Sequence, residues 1–412
     1  MSHSTAITLT SGLPNVGNTC FMNAIFQALF HSPVVLKYLW KPFIHYDKNG
    51  EAICKALYDI FTSMLTSSSS TLPLRQFMLV FKESARRGKR IEFVPGMQLC
   101  SAEFLQYILE EMDVYLSKRV IPEITPGTGD PIILDQQTRA LDAWIISFAI
   151  NKTIPRSPML YSPILDNMHG QTESFTFCTN CKAKSSQNYE IWTKLEVAIP
   201  GSDTHGAKAP TLLECIADRF NDETMEDYEC EDCKFRMKVR EICKATHSSP
   251  EHKPCCKDCY KLATGTRRNR ISRSPKELVI ELKRYMHDPF HPTRLPKKVT
   301  GGILWDLDDL NLTPYLAFVS PFKTPPPRYR TYAVVEHEGS SPNSGHYFVR
   351  IRRGTRWFEY NDNAPVREIP KEYVITNNSY IIFASSDHTY SFDKEYLECK
   401  ERIAASMPAP PA

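Results

Sequence analysis

No run of apolar residues approaches the roughly 18 that a membrane-spanning helix needs. The nearest, Ala143 to Ile150, is interrupted by Ser147. Met1 to Thr10 are polar and lack the basic and apolar regions of a secretory leader. A non-membrane chain of the cytoplasm or nucleus is therefore expected. Charge of one sign is missing as well: 50 Lys+Arg against 47 Asp+Glu leave +3, which provides no global footprint for nucleic acid or an anionic membrane. There is no internal repeat of fixed period, so a repeat array is not expected. Nor is there an even set of cysteines. Thirteen in a chain without a leader make a disulfide framework a poor reading and leave metal ligation and thiol chemistry.

What is present is the balance of a globular protein, with 42% hydrophobic and 24% charged residues over 412 positions, enough for two or three modules or one large domain with insertions. From Cys20 to Lys118 apolar residues recur at helical spacing: Phe21, Ile25, Leu29; then Ile53, Leu57, Ile60, Met64; then Phe104, Ile108, Met112, Tyr115. From Tyr189 onward alternation takes over, as in Ile191, Leu195, Val197, Ile199 and later Leu278, Ile280, Leu282. A helical lobe, a cysteine-rich β insertion and a β lobe are expected in that order. Stretches rich in Pro, Gly, Ser and Thr, such as Thr66 to Pro73, read as surface loops.

Gly12-Leu13-Pro14-Asn15-Val16-Gly17-Asn18-Thr19 is turn-forming and runs into an amphipathic pattern at Cys20. Asn18 or Thr19 is the expected N-cap. Cys20 then lies in the first helical turn, where unpaired N–H groups and the helix dipole favour an anionic sulfur. Those N–H groups, with the Asn15 side chain upstream, could also donate to a developing oxyanion. The competing reading is a buried cysteine that starts a core helix.

A nucleophile needs a base. Ser344 to Arg352 and Arg356 to Asp362 are two strand-like runs joined by a turn at Gly354, an antiparallel hairpin. A two-residue turn at Arg353-Gly354 sets His346 opposite Asn361 and collects Tyr347, Val349, Ile351, Phe358 and Tyr360 on one apolar face. A slip by one residue would spoil that face. In this register the Asn361 carbonyl can accept from the imidazole and fix its tautomer. His337 is the nearest rival among the other histidines, but no orienting partner can be assigned to it. A Cys on a helix start and a His held by Asn on strands is the arrangement of papain-like cysteine proteases, with Cys20, His346 and Asn361 as triad.

Nine of the thirteen cysteines fall between Cys178 and Cys259. Cys178-x-x-Cys181 and Cys230-x-x-Cys233, 48 residues apart, have the makeup of a tetrahedral Zn2+ ribbon. With four thiolates and no open position, that zinc would be structural. Cys256-x-x-Cys259 could join two of Cys243, His247, His252 and Cys255 around a second zinc, or replace one knuckle of the first site. The basic runs Arg267 to Arg273 and Arg86 to Arg90 lack interleaved aromatics and read as solvated loops rather than nucleic-acid contacts.

The Gly12 to Asn23 segment resembles the cysteine box of the ubiquitin-specific proteases. Tyr332 to Tyr347 with Trp357 to Asp362 resembles their histidine box, and Leu278 to Tyr285 is similar to a strand of that family. These blocks keep family order from Gly12 to about Phe383. The resemblance implies an α+β, papain-like fold: a flexible segment 1–11, a helical thumb 12–168, zinc-ribbon fingers 169–274 with an insertion 243–273, a β palm 275–384 and a tail 385–412. It also implies cleavage after the carboxyl-terminal glycine of ubiquitin, Asn15 as oxyanion donor, Asp362 as a supporting polar residue, and Cys230 with Cys233 as the second knuckle. One block departs. Cys100, in Gln98-Leu99-Cys100-Ser101-Ala102-Glu103-Phe104, stands where the family usually has an Asp expected to bind the basic tail of ubiquitin. Losing a charge-assisted hydrogen bond to Arg costs roughly 1.5–3 kcal/mol, about ten- to a hundredfold in affinity. The alternatives that follow are a weak or inactive ubiquitin-binding scaffold and a protease for a ubiquitin-like modifier.

Overall fold

The amino-terminal helices form because their apolar stripes have somewhere to go. In the computed structural model, which describes residues 10–36, 52–66, 70–88, 94, 96–116, 118–120, 159–185, 188–200, 209–234, 263–286, 297–317 and 327–406, these helices are α1 (Cys20–Phe30), α2 (Ala52–Thr66), α3 (Thr71–Gly88) and α4 (Ser101–Leu116). Every residue of α1 is buried, the mark of a helix enclosed on all sides. Phe21, Phe26, Phe77, Phe81 and Phe104 interlock around it at 4.9–6.1 Å, mostly edge to face. The stretch Thr66 to Pro73, expected as a loop, already belongs to α3 from Thr71 onward. Pro73 is tolerated there because first-turn N–H groups have no intrahelical partner.

The chain continues through β1 (Lys118–Val120), β2 (Met159–Tyr161), α5 (Pro163–Met168), β3 (Gly170–Cys178), β4 (Asn188–Trp192), β5 (Leu195–Val197), α6 (Leu212–Phe220), β6 (Glu223–Tyr228) and β7 (Ala263–Arg273). Strands β4-β3-β7-β6 make a four-stranded antiparallel sheet. The Arg267 to Arg273 run is therefore not a solvated loop at the end of an insertion. It is strand β7, paired on both sides, with Arg268 and Arg270 on Asp222 at 2.6 and 3.1 Å and Arg273 on Asp166 at 3.0 Å. Arg86, in the other basic run, pairs with Glu83 on the exposed side of α3, while Lys89 and Arg90 lie outside the described residues.

The last part holds β8 (Glu277–Leu282), β9 (Tyr285–Met286), β10 (Lys297–Lys298), β11 (Leu310–Asn311), β12 (Arg328–Ser341), β13 (Ser344–Arg353), β14 (Arg356–Tyr360), β15 (Arg367–Ile369), β16 (Ser379–Ser385) and α7 (Phe392–Ser406). Strands β15-β14-β13-β12-β16-β8-β5 run in that order, with β11 added on β12. All pairs are antiparallel except β5 with β8. The central strands are buried on both faces. Val279, Val335, Ile381 and Phe383 pack toward the helical lobe, while Leu278, Ile280, Ile382 and Ala384 pack toward α6 and the 297–316 segment. That is why these strands read as nearly continuous apolar runs. The helical lobe is thus fused to one sheet face, and the cysteine helix α1 lies against β13 and β12.

One buried acid locks this docking. Glu277, at the start of β8, accepts from Ser32 Oγ at 2.6 Å, from the Val34 amide at 2.8 Å and from the Tyr332 hydroxyl at 3.2 Å. Burial pushes its carboxyl up to about 7 against those three donors, and Asp387 adds to the rise. A raised carboxyl means that the folded protein holds a proton the unfolded chain has shed. This contribution to stability is present at low pH and is lost as pH rises through about 7. His31, His169 and His337, held neutral by burial at about 3, 4 and 4, push the other way. The comparison must therefore be with Glu277→Gln: the melting temperature of the native chain minus that of the variant should fall between about pH 4.5 and 7 and level off above. A difference that stays flat across that range would contradict the assignment.

Candidate functional site

Cys20 opens α1 and is almost fully buried. Thr19 occupies the N-cap position, but its side chain caps no helix amide; the Val16 N–H donates to its hydroxyl at 3.1 Å. The turn before it is held by Asn15, whose Oδ1 accepts from the amides of Gly17 at 3.2 Å and Thr19 at 3.1 Å. Gly17 and Asn18 both have positive φ, 121° and 52°, which Gly and Asn tolerate better than other residues. The Cys20 thiol points at Gln98 Oε1 at 3.9 Å.

His346 sits near the start of β13 and Asn361 just past the end of β14. The turn of this hairpin is Gly354-Thr355, with Arg353 opposite Arg356 and Val349 opposite Tyr360, so the register differs by two residues from the expected one. An even shift leaves every side chain on its expected face, and Tyr347, Val349, Ile351, Phe358 and Tyr360 are all buried. The ladder ends at Val349 and Tyr360, so His346 and Asn361 are not a cross-strand pair. Their side chains still meet: His346 Nε2–H donates to Asn361 Oδ1 at 2.7 Å. The other ring nitrogen is left for the thiol. The hydrogen bond with Cys20 is the main reason the His346 imidazole is raised to about 9; burial opposes the rise, and Asn361 and the Asp362 charge add to it.

Asp362 joins the two segments. Its Oδ2 accepts from Asn15 Nδ2 at 3.0 Å and its Oδ1 from Asn23 Nδ2 at 2.7 Å. Sequence reasoning assigned no role to Asn23 or Gln98. Asn23 lies three residues after Cys20, a spacing that shares a helix face, and that spacing was the available signal. Gln98 carried none, because only tertiary folding brings the segment before α4 against the thiol.

His337 is the buried counterpart of His346. It stacks on Tyr347 at 3.9 Å between ring centroids, bonds the Tyr285 hydroxyl, and is held neutral at about 4 by burial and then by Lys298. Cys100 is buried at the start of α4, with its sulfur 3.1 Å from the Tyr380 hydroxyl. Burial pushes its thiol up to about 11, so it is uncharged at neutral pH. Tyr380 in turn donates to Glu281, which pairs with Lys194.

At the far end of the β3 and β6 hairpins, Cys178, Cys181, Cys230 and Cys233 bring their sulfurs within 4.8 Å of one another. Cys178 and Cys233 are 3.8 Å apart, Cys181 and Cys230 3.5 Å. A tetrahedron with metal–sulfur bonds of about 2.3 Å has edges of roughly 3.8 Å, so the donor set fits a metal ion. Burial and the neighbouring sulfurs push Cys233 up, so four thiolates need a cation among them. Cys243, His247, His252, Cys255, Cys256 and Cys259 lie outside the described residues.

The thiol–imidazole contact can be read directly. In an NMR titration His346 should have its midpoint near 9, falling by more than one unit, to about 6.5 or below, in Cys20→Ala, and by less in Asn361→Ala. An unchanged midpoint in Cys20→Ala would remove the contact.

The profile described as "Ubiquitin carboxyl-terminal hydrolase" matches residues 11–383. Ubiquitin carboxyl-terminal hydrolase 36 of Drosophila mojavensis is 24% identical over 401 residues, covering 95% of this chain and 28% of that protein. Ubiquitin carboxyl-terminal hydrolase 21 of Mus musculus is 24% identical over 408 residues, covering 94% and 62%. The chain spans less than two-thirds of the length of these curated relatives. Among solved structures, the SAGA Ubp8/Sgf11/Sus1/Sgf73 DUB module bound to ubiquitin aldehyde is similar over 91% of this chain and 69% of that one, with a TM-score of 0.62 at 20% identity. No described helix is long and apolar enough to cross a membrane. With a matching profile over nearly its whole length and the same fold, the chain belongs to the ubiquitin carboxyl-terminal hydrolase family.

Proposed function

We propose that this chain is a cysteine-type deubiquitinase that hydrolyses the bond after the carboxyl-terminal glycine of ubiquitin. The observation that carries the reading is the contact of the Cys20 thiol with an imidazole raised to about 9 and oriented by Asn361. Cys20 sulfur attacks the glycine carbonyl and forms a C–S bond as the carbonyl oxygen takes the negative charge. One Nδ2 proton of Asn15 is engaged by Asp362. The other, with backbone N–H groups at the start of α1, stabilises that oxyanion. The imidazolium of His346 then gives its proton to the leaving lysine amine, the C–N bond breaks, and a thioester remains. Water attacks the thioester while His346 takes its proton, and the Cys20 sulfur leaves. A fold neighbour that carries ubiquitin aldehyde supports the substrate class.

In this reading residues 12–168 are the thumb, 169–274 the fingers and 275–384 the palm, working in the cytoplasm or nucleus. The four clustered cysteines would hold one Zn2+, which supplies a cross-link between two hairpins and no chemistry. Cys100 favours a second reading of the substrate. A buried neutral thiol cannot form an ion pair with a basic tail, so a ubiquitin-like modifier with a different tail is the runner-up. Exposed Glu103 is the nearest acid on α4 available to ubiquitin itself.

Ubiquitin carrying a carboxyl-terminal electrophile should form a covalent adduct with the native chain and none with Cys20→Ala. The absence of any adduct, with ubiquitin still bound, would make the protein a scaffold, and an adduct only with a ubiquitin-like modifier would select the runner-up. Metal analysis of the folded chain should find about one zinc from the four-cysteine set. Cys230→Ser should lose it and melt at lower temperature while Cys20 still reacts with iodoacetamide. Clearly less than one zinc per folded native chain would end the metal assignment.

A further inference from the structure

The junction between the cysteine and histidine segments contains a group that the proposed mechanism leaves without a task. Asn23 is buried one turn into α1. Its Nδ2 has three acceptors: Asp362 Oδ1 at 2.7 Å, Pro14 O at 3.2 Å and Leu13 O at 3.3 Å. Its Oδ1 is buried without a hydrogen-bond partner. A carboxamide placed for core packing would satisfy its acceptor as well as its donor; this one is organised around donation alone.

Asp362 is held in an unusual posture. Its φ is +47°, a left-handed conformation that costs a non-glycine residue free energy. Its carbonyl is wedged against the chain at Gly12, where an added Cβ would lie 2.2 Å from Asp362 O. That posture turns the carboxylate back from the triad Asn361 toward α1. There one oxygen meets Asn23 and the other meets Asn15. Asn15 is locked on its far side by the amides of Gly17 and Thr19. A rotation of the Asp362 carboxylate would therefore withdraw the one contact that fixes the Asn15 amide on its donor side.

We propose that Asn23 is a positioning residue for the oxyanion. By anchoring one oxygen of Asp362 to the rigid, fully buried helix that bears Cys20, it fixes the other oxygen and, through it, the direction in which Asn15 donates. The inference rests on the deubiquitinase reading above. It differs from a folding role in what it affects. Asn23 is buried and reaches the site only through Asp362 and Asn15, and simple alkylation of the sulfur builds no oxyanion, so neither ubiquitin binding nor alkylation depends on it.

The test compares native chain, Asn23→Leu, Asp362→Asn and the double variant. The assays are hydrolysis of a fluorogenic amide at the ubiquitin carboxyl terminus, affinity for ubiquitin measured on Cys20→Ala versions, and the rate of Cys20 alkylation by iodoacetamide. Asn23→Leu should lower kcat about ten- to a hundredfold, leave KM and ubiquitin affinity within about twofold, and leave alkylation unchanged. The double variant should be no slower than Asp362→Asn alone, because both substitutions break one chain of contacts. Additive losses, an unchanged kcat, or a loss that appears in KM or in alkylation would overturn the assignment. If Asn23→Leu does not fold, Asn23→Ser takes its place in the cycle. Asp362→Asn, made on the half-exposed hairpin side, must by itself lower kcat, or the proposal fails; alkylation is judged on Asn23→Leu alone, because the Asp362 charge also helps raise the His346 imidazole. A native chain that makes no Cys20-dependent adduct with electrophilic ubiquitin would instead overturn the functional reading on which this one stands.

Discussion

A sulfur and an imidazole that begin 326 positions apart in the chain meet in a hydrogen bond, and much of the architecture fixes where these two groups lie. The thiol is on the first residue of a helix with no exposed face, and the imidazole is at the end of a strand in the sheet against which the helix packs. A buried helix cannot drift. Its interlocking phenylalanines and the sheet residues Val279, Val335, Ile381 and Phe383 belong to one apolar cluster. The position of Cys20 relative to His346 is thus set by close packing, where displacements of a fraction of an ångström are resisted.

Packing alone does not aim side chains, and here the aiming is polar. Asn361 turns the imidazole, Asn15 closes the cysteine turn, and the Asp362 carboxylate connects the two segments. Each of these groups is on a loop or an element end, where the backbone can take the positive φ values seen at Gly17, Asn18 and Asp362. The strained positions lie at the junction of the two lobes, where a regular ladder could not bring the same atoms together. The Glu277 lock with Ser32 and Val34 works the same way at the other end of α1: a buried carboxyl at the start of β8 holds the turn that follows the cysteine helix.

The hairpins that carry the four clustered cysteines are built on a different economy. Among the described residues their tip has three buried cysteines and a few partly buried neighbours as a core, too little apolar area to hold two hairpins together. Four sulfurs placed so that they could hold a metal ion stand where that core would be. The paired arginines of β7 are part of the same solution. With few apolar residues available, the sheet is crossed by Asp222 with Arg268 and Arg270 and by Asp166 with Arg273. A basic run that looks like a free cationic loop is neutralised by acids from neighbouring elements.

Local sequence already determined a good deal. The helix periods of Ile53 to Met64 and Phe104 to Met112, the pairing of two cysteine knuckles, the hairpin around Gly354 and the placement of Cys20 at a helix start all follow from spacing, because each depends on residues a few positions apart. The apolar face of the hairpin survived a wrong register, since a shift of two residues preserves the alternation of side chains. Other features were decided only by the tertiary fold: that His346 reaches Asn361 beyond the end of the ladder, that β7 is an interior strand with Arg268, Arg270 and Arg273 paired, that Asn23 and Gln98 face the site, and that Cys100 is a neutral thiol under Tyr380. Each is a contact between segments distant along the chain. Its energy depends on burial and on the partner brought by folding, and neither quantity is written in the neighbouring residues.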